Sequence, residues 1–312
     1  MCTTCGCNHG EIRIEGSAEE ARSRPDHHGH GSNAHGHTHT GSHHSSHDHD
    51  HHGDSHAGPA AGAPFPSGEA ARSPNLVSIE QSILAKNKRF ADENRSCWSE
   101  LGILSLNLVS SPGAGKTSLL VKTLEALRAE MPLWVIEGDQ ETSNDADRIR
   151  QTGVPAIQIN TGRGCHLDAH AVGHATADLA LRQHGILFIE NVGNLVCPAG
   201  FDLGEAKRVV ILSVTEGTDK PIKYPDAFAA ADIMVLSKLD LLPHVDFDAS
   251  TAIDLAKRVN PTIRVVRTTV TADGGIDEWL QWLRSMLREA VAAQAAHLEN
   301  RLATVRSRLS SL

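Results

Sequence analysis

The stretch Ile103-Leu104-Ser105-Leu106-Asn107-Leu108-Val109-Ser110-Ser111-Pro112-Gly113-Ala114-Gly115-Lys116-Thr117 carries the strongest local signal in the chain. Its first seven residues are an apolar run of strand length, and the next eight are small residues ending in Gly-Lys-Thr. From Thr117 to Glu130 the apolar side chains Leu119, Leu120, Leu124 and Leu127 fall on one face of a helix. A strand, a turn of small residues and a helix, in that order, are the context that a P-loop requires. Small side chains let backbone N–H groups wrap a phosphate, and the helix N-terminus adds partial positive charge. Gly113, Ala114, Gly115, Lys116, Thr117 and Ser118 are therefore the candidate phosphate cradle. Lys116 would reach the β- and γ-phosphates, and the Thr117 hydroxyl would ligate Mg²⁺. One departure stands out: Ser110 occupies the place of the first glycine in Gly-x-x-x-x-Gly-Lys-Ser/Thr.

Outward from this loop the pattern alternates. Strands are expected at 133–137, 156–159, 186–189, 209–214, 233–236 and 264–267. Helices are expected at 78–99, 166–182 and 249–259, and from Gly275 onward. Strands apolar on both faces and separated by helices imply a mainly parallel sheet covered by helices on each side. The fold class is α/β, of the P-loop NTPase type, and the expected GTPase domain spans 76–290. Residues 291–312, rich in Ala and Arg, extend the last helix.

Two further strand ends bear on the nucleotide. Strand 233–236 runs into Ser237-Lys238-Leu239-Asp240, close to the Asn-Lys-x-Asp of GTPases. A carboxylate such as Asp240 accepts from guanine N1–H and the exocyclic amine, which adenine does not offer, so GTP is favoured; Ser237 replaces the usual Asn. Strand 186–189 ends in Glu190-Asn191-Val192-Gly193, where P-loop enzymes put an acid and a glycine that senses γ-phosphate. Asp139, Asp145 and Asp147 follow the strand after the P-loop helix. Asp139 is the first choice for holding Mg²⁺ or positioning the attacking water, and Asp145 the first candidate for a helix cap instead.

Composition separates a tail from this body. Of 312 residues 20 are His, and 13 of those lie between His27 and His56. Only Phe65 among the aromatics precedes residue 76, and the first 75 residues supply −5 of the formal −9 charge. Residues 8–75 cannot bury enough apolar surface to offset their conformational entropy and are expected to be a disordered His-rich tail. The acidic balance argues against nucleic-acid binding. No run of about 18 apolar residues exists for membrane insertion. The N-terminus lacks a signal peptide's pattern, so a cytoplasmic, reducing setting is expected, where clustered cysteines suggest metal before disulfide.

Three thiols, Cys2, Cys5 and Cys7, fall within six residues. With the Cys2 α-amine they make four donors compatible with square-planar Ni²⁺; with His9 they suit tetrahedral Zn²⁺. Spacing alone does not choose. The irregular histidine run offers many interchangeable imidazole sets, hence capacity rather than selectivity. Cys165-His166 and Cys197 form a third candidate set, with Cys197 four residues beyond Gly193.

These strings together resemble the HypB family of nickel-incorporation GTPases of NiFe-hydrogenase. The markers are Cys-Thr-Thr-Cys-Gly-Cys (2–7), the Ser-Ser-Pro-Gly-Ala-Gly-Lys-Thr loop, Glu-Gly-Asp-Gln-Glu-Thr (137–142), Gly-Cys-His-Leu-Asp-Ala (164–169) and Glu-Asn-Val-Gly-Asn-Leu-Val-Cys-Pro (190–198). The resemblance implies a SIMIBI-class P-loop fold and slow GTP hydrolysis. It also implies a tight nickel site at Cys2, Cys5 and Cys7, and a second site for nickel or zinc at Cys165, His166 and Cys197 near a GTP-dependent homodimer interface. The implied partners are a HypA-type nickel metallochaperone and the hydrogenase large-subunit precursor. The long histidine tail adds storage, and leaves nickel storage or detoxification as an alternative. Urease GTPases are similar in the nucleotide domain but use a Cys-Pro-His motif and lack the N-terminal cysteine set.

Overall fold

The computed structural model describes residues 13–15, 74–140, 143–162 and 164–311. Cys2, Cys5, Cys7 and the run from His27 to His56 lie outside the described residues. The described chain forms β1 (Arg13–Glu15), α1 (Pro74–Glu100), β2 (Leu104–Ser110), α2 (Lys116–Leu127), β3 (Leu133–Asp139), α3 (Asn144–Arg150), β4 (Ala156–Asn160) and α4 (Ala169–Asp178). There follow β5 (Ile186–Glu190), β6 (Lys207–Ser213), α5 (Lys220–Lys223), α6 (Pro225–Ala229), β7 (Ile233–Ser237), α7 (Ala249–Val259), β8 (Arg264–Arg267) and α8 (Asp277–Ser310). One sheet holds the strands in the order β1-β4-β3-β5-β2-β6-β7-β8. All pairs are parallel except β1 with β4, where Arg13 faces Asn160.

Alternation along the strands divides the core between two faces. On one face Leu104, Leu106 and Leu108 meet Leu119, Leu120, Leu124 and Leu127 of α2 and Trp279 and Leu283 of α8. On the other, Trp134, Ile136, Leu187 and Ile189 pack with Trp98 of α1 and Val172 and Ala175 of α4. Farther along that face Val210, Leu212, Met234 and Leu236 meet Phe228 of α6 and Ala252 and Ala256 of α7. Each burial of a Leu, Ile or Phe is worth about 1.5–3 kcal/mol. Such doubly covered strands can be apolar throughout, which is why β2 is buried at every position. Trp279 satisfies its indole N–H on Thr123 Oγ1 at 2.9 Å, so this large ring is buried without an orphaned donor.

Three expectations shift. The helix expected at 166–182 is shorter, Ala169–Asp178, because the Asp168 carboxylate accepts the Ala171 N–H at 2.8 Å and caps it there. Cys165 and His166 are thereby left in a loop. At the far end Ala180 takes φ 45°, which a helix cannot continue through. Asp145 is not a cap: Ser143 holds that position, and Asp145 sits in the first turn of α3. β1 lies within the segment read as tail, and α8 runs unbroken through residue 290.

Candidate nucleotide and metal sites

The P-loop joins β2 to α2. Gly115 caps α2 with φ 96°, a left-handed turn that an L side chain rarely adopts, and this turn leaves the first N–H groups of α2 at the loop. Ser110, in place of the usual glycine, receives a hydrogen bond from Lys116 Nζ at 3.1 Å. Two more lysines converge on the loop. Lys238 Nζ donates to the Gly113 carbonyl at 2.6 Å, and Lys220 Nζ to Ser111 Oγ at 3.2 Å. Ser237, where GTPases carry Asn, donates to the Ala114 carbonyl at 2.8 Å and ties the end of β7 to the loop. Asp240 is exposed and accepts from Thr271 Oγ1 at 3.1 Å. Ser118 accepts from Arg148 at 3.2 Å.

Acids gather beneath Lys116. Thr117 Oγ1 donates to Glu190 Oε1 at 2.7 Å. Glu190 stands directly beside Glu137 in the parallel β3–β5 register, and both are 3% exposed. Glu137 Oε2 and Glu190 Oε2 are buried without a hydrogen-bond partner. Burial pushes the Glu190 carboxyl up to about 7, against the pull of Lys116 and the Thr117 hydrogen bond. Burial, then Glu190 and Asp139 as like charges, push Glu137 up to about 8. Asp139, at the end of β3, is half-buried; Asp145 pairs with Arg148 at 3.1 Å, and Asp147 with Arg150 at 2.9 Å. Orphaned carboxylate oxygens beside a hydroxyl are a donor set that suits a hard, oxygen-seeking cation.

Beyond Glu190 the chain turns against the P-loop. A Cβ on Gly193 would sit 3.1 Å from Pro112 Cα, so glycine permits this approach. Asn191 Oδ1 accepts the Leu167 N–H at 3.2 Å, and Asn194 Nδ2 reaches the Cys165 carbonyl at 3.5 Å. The loop after β5 is thus bonded to the loop that carries Cys165 and His166. The ligand atoms of Cys165, His166 and Cys197 all lie within 4.8 Å of one another, the one such trio of candidate metal ligands among the described residues. Cys165 Sγ is 3.6 Å from His166 Nδ1, and the His166 ring lies 3.8 Å from Phe201. Burial and the neighbouring Cys197 thiol hold Cys165 above its usual range, a condition that a bound cation would reverse. Two sulfurs and one imidazole suit Zn²⁺ or Ni²⁺.

Comparison with known proteins identifies the family and the fold. The family described as CobW/HypB/UreG, nucleotide-binding domain, matches residues 105–267. The hydrogenase maturation factor HypB of Azotobacter vinelandii is 56% identical over 292 residues, covering 91% of each chain. The chain belongs to the HypB family. The crystal structure of HypB from Archaeoglobus fulgidus is 39% identical and covers 65% of this chain and 99% of its own, with a TM-score of 0.60. That of HypB from Helicobacter pylori, described as a complex with nickel, is 36% identical over 65% of this chain and 96% of its own, with a TM-score of 0.61. The P-loop α/β fold expected from the sequence is therefore the HypB fold.

Within this HypB-family domain, sequence reasoning passed over three groups. Glu137 opens the Glu-Gly-Asp-Gln-Glu-Thr string, but its contact with Glu190 arises from strand register and no motif announces it. Lys220 reaches the P-loop from the far end of β6, with no motif to announce it. Arg208 and Glu205 form a buried ion pair at 2.6 Å, and Arg208 also donates to the carbonyls of Ala199 and Phe201 at 2.8 and 2.9 Å. Glu205 Oε1 in turn accepts from Asn107, whose Oδ1 accepts from Asn191 at 3.2 Å. This network anchors the Cys197 loop to the strand that leads into the P-loop.

Proposed function

We propose that the chain is a nickel-binding GTPase that stores nickel and delivers it for NiFe-hydrogenase maturation, with GTP hydrolysis coupled to dimerisation and metal transfer. The observation that carries this reading is the path along the loop after β5, in which Thr117 bonds Glu190, Asn191 bonds Leu167 and Asn194 bonds Cys165. Any shift of the loop after β5 on losing γ-phosphate is transmitted to the Cys165, His166 and Cys197 cluster by those bonds.

The P-loop amides and Lys116 hold the β- and γ-phosphates, while Lys238 and Asp240 hold guanine. Mg²⁺, when bound, would be held by Thr117 and the carboxylates around it, and would neutralise charge on the transferring phosphoryl group. Glu190 and Asp139 orient the water or the metal shell, with Glu137 behind them. Gly193 leaves room for the loop to close on γ-phosphate. Nickel is the cargo, taken by Cys165, His166 and Cys197, with Cys2, Cys5 and Cys7 as the tight site and the histidine tail as reservoir. Val196, an apolar side chain 64% exposed beside Cys197, supports a homodimer contact at this edge. A HypA-type metallochaperone and the hydrogenase large-subunit precursor are the proposed partners, in the cytoplasm.

The test is nickel affinity of the chain carrying Cys2→Ser, Cys5→Ser and Cys7→Ser, read by thiolate-to-nickel absorption, with GDP and with a non-hydrolysable GTP analogue. Coupling requires different affinities, because a ligand shifts a two-state element only through differential binding. Equal affinities would overturn it. The thirteen tail histidines favour a second reading, storage alone. Survival of hydrogenase maturation in Lys116→Ala, together with lost nickel tolerance on tail deletion, would select that reading.

A further inference from the structure

Helix α8 outruns the body that it packs on. Gln294 is its last buried residue; the side chain donates to the Glu100 carbonyl at 2.7 Å and meets His184 Nε2 at 2.9 Å. Those partners precede β2 and β5, so α8 leaves the sheet at the strand ends opposite the P-loop. From Ala295 to Ser310 every residue is exposed, and this stretch projects ~24 Å at the α-helical rise. Its apolar side chains are not scattered. Val291, Ala295, Leu298, Leu302, Val305 and Leu309 recur at alternating steps of four and three. That is the a/d seam of a heptad repeat, narrower than the apolar face of a helix that lies on a core. Leu298 and Leu302 are each 50% exposed, Val305 61% and Leu309 73%.

We propose that this seam docks an acidic amphipathic helix of a partner protein and forms a short coiled coil with it. The placement of charge selects that occupant. Between Val291 and Ser310 the acidic and basic side chains are Glu299, Arg301, Arg306 and Arg308, and all of them take the e and g positions that border the seam. The outer b, c and f positions hold only Ala, Ser, Thr, Asn and His. A helix that merely faced water would carry its charge on that outer face instead. The border is mostly arginine on a chain of formal charge −9, and its guanidinium forks match Asp or Glu on a facing helix. A second copy is a poor match. In a parallel pair Arg301 of each helix would lie against Arg306 of the other. In an antiparallel pair Arg301 meets Arg308, which offsets the contact of Glu299 with Arg306. The chain's own acidic tail does not serve either, because residues 16–73 contain no Leu, Ile, Val or Met to enter the seam. Anionic lipid would suit the arginines, but the stripe is confined to a and d and has no Trp or Phe. The P-loop follows the far end of β2 and Cys165 the far end of β4, so docking here leaves both open.

This surface does not depend on the nickel-delivery reading, and its test reads neither nickel nor hydrolysis. The full-length chain is titrated, by fluorescence anisotropy, against two labelled synthetic peptides of four heptads with Leu at a and d. One carries Glu at every e and g position, the other Lys. The Glu peptide should bind at least tenfold more tightly than the Lys peptide, and its affinity should fall as salt rises. Leu302→Gln with Val305→Gln should weaken that binding at least tenfold. Arg301→Glu, Arg306→Glu and Arg308→Glu together should turn the preference toward the Lys peptide. All five positions are exposed, and unchanged affinity for a labelled GDP analogue verifies that the domain is intact. No binding of the Glu peptide, equal binding of the two peptides, or binding that survives the Leu302 and Val305 substitutions would overturn the proposal. So would either rival occupant. A nucleotide-free and metal-free dimer in sedimentation that those two substitutions dissolve would give the seam to a second copy, and displacement of the Glu peptide by phosphatidylserine vesicles would give it to a membrane.

Discussion

Glu137→Gln should make the nucleotide-free protein more stable at alkaline pH and leave it almost unchanged at pH 5. The Glu137 carboxyl is buried, has one oxygen without a partner, and shares its strand position with Glu190. Its folded value is about 8 against 4.5 unfolded, so the folded state holds a proton that the unfolded state releases. Stability from a carboxyl raised in this way is fully present below about pH 4.5 and is lost as pH climbs toward 8. Each tenfold difference in proton affinity between the two states corresponds to about 1.4 kcal/mol. Between pH 5 and pH 8 the loss attributable to Glu137 is then about 3.5 kcal/mol. Gln keeps the shape and carries no proton equilibrium. Urea unfolding of parent and variant at both pH values measures the effect as a difference of differences. Mg²⁺ with GDP should oppose it, stabilising the parent more than the variant at pH 8. A parent-minus-variant difference that is the same at pH 5 and pH 8 would refute the reasoning, since Glu137 would then not titrate in that window.

Arg208→Met should cost about 3–5 kcal/mol in denaturant unfolding, because Glu205 is left charged and buried. Lys116→Ala should weaken binding of a labelled GDP analogue at least tenfold, as loss of a charge-assisted contact of about 1.5–3 kcal/mol predicts. Asp240→Asn should narrow the gap between GTP and ATP in competition against that analogue at least tenfold; an unchanged gap would remove Asp240 from base recognition. Gly193→Ala brings a methyl within 3.1 Å of Pro112 Cα and should weaken the GTP analogue more than GDP in the same assay.

β5 and β7 were legible because every position in them is buried. β5, β7, β8 and α7 lie within a residue of the expected bounds: β5 and β7 are continuous apolar runs, β8 holds Val265 and Val266 between two arginines, and Asp248 caps α7 by accepting from Ser250 and Thr251. α3, α5 and α6 escaped notice because 7, 4 and 5 residues leave no room for an apolar period. α4 starts at Ala169 rather than at residue 166 for a local reason, the Asp168 cap, and this later start frees Cys165 and His166 to meet Cys197.

Chain order alone carries the P-loop, the Glu190–Gly193 turn and the Ser237–Asp240 turn, since each depends on residues adjacent along one strand end. Those features follow from local geometry: where a parallel strand stops and the next helix begins, small or acidic residues take the exposed amides. The meeting of Glu137 with Glu190, of Lys220 with Ser111, and of Cys165 with Cys197 has no such local origin. It follows from the sheet order, which inserts β5 between β3 and β2 and sets β6 on the other side of β2. Sheet order is chosen by the packing of whole helices on two faces, a sum over many weak contacts that no short stretch of sequence contains.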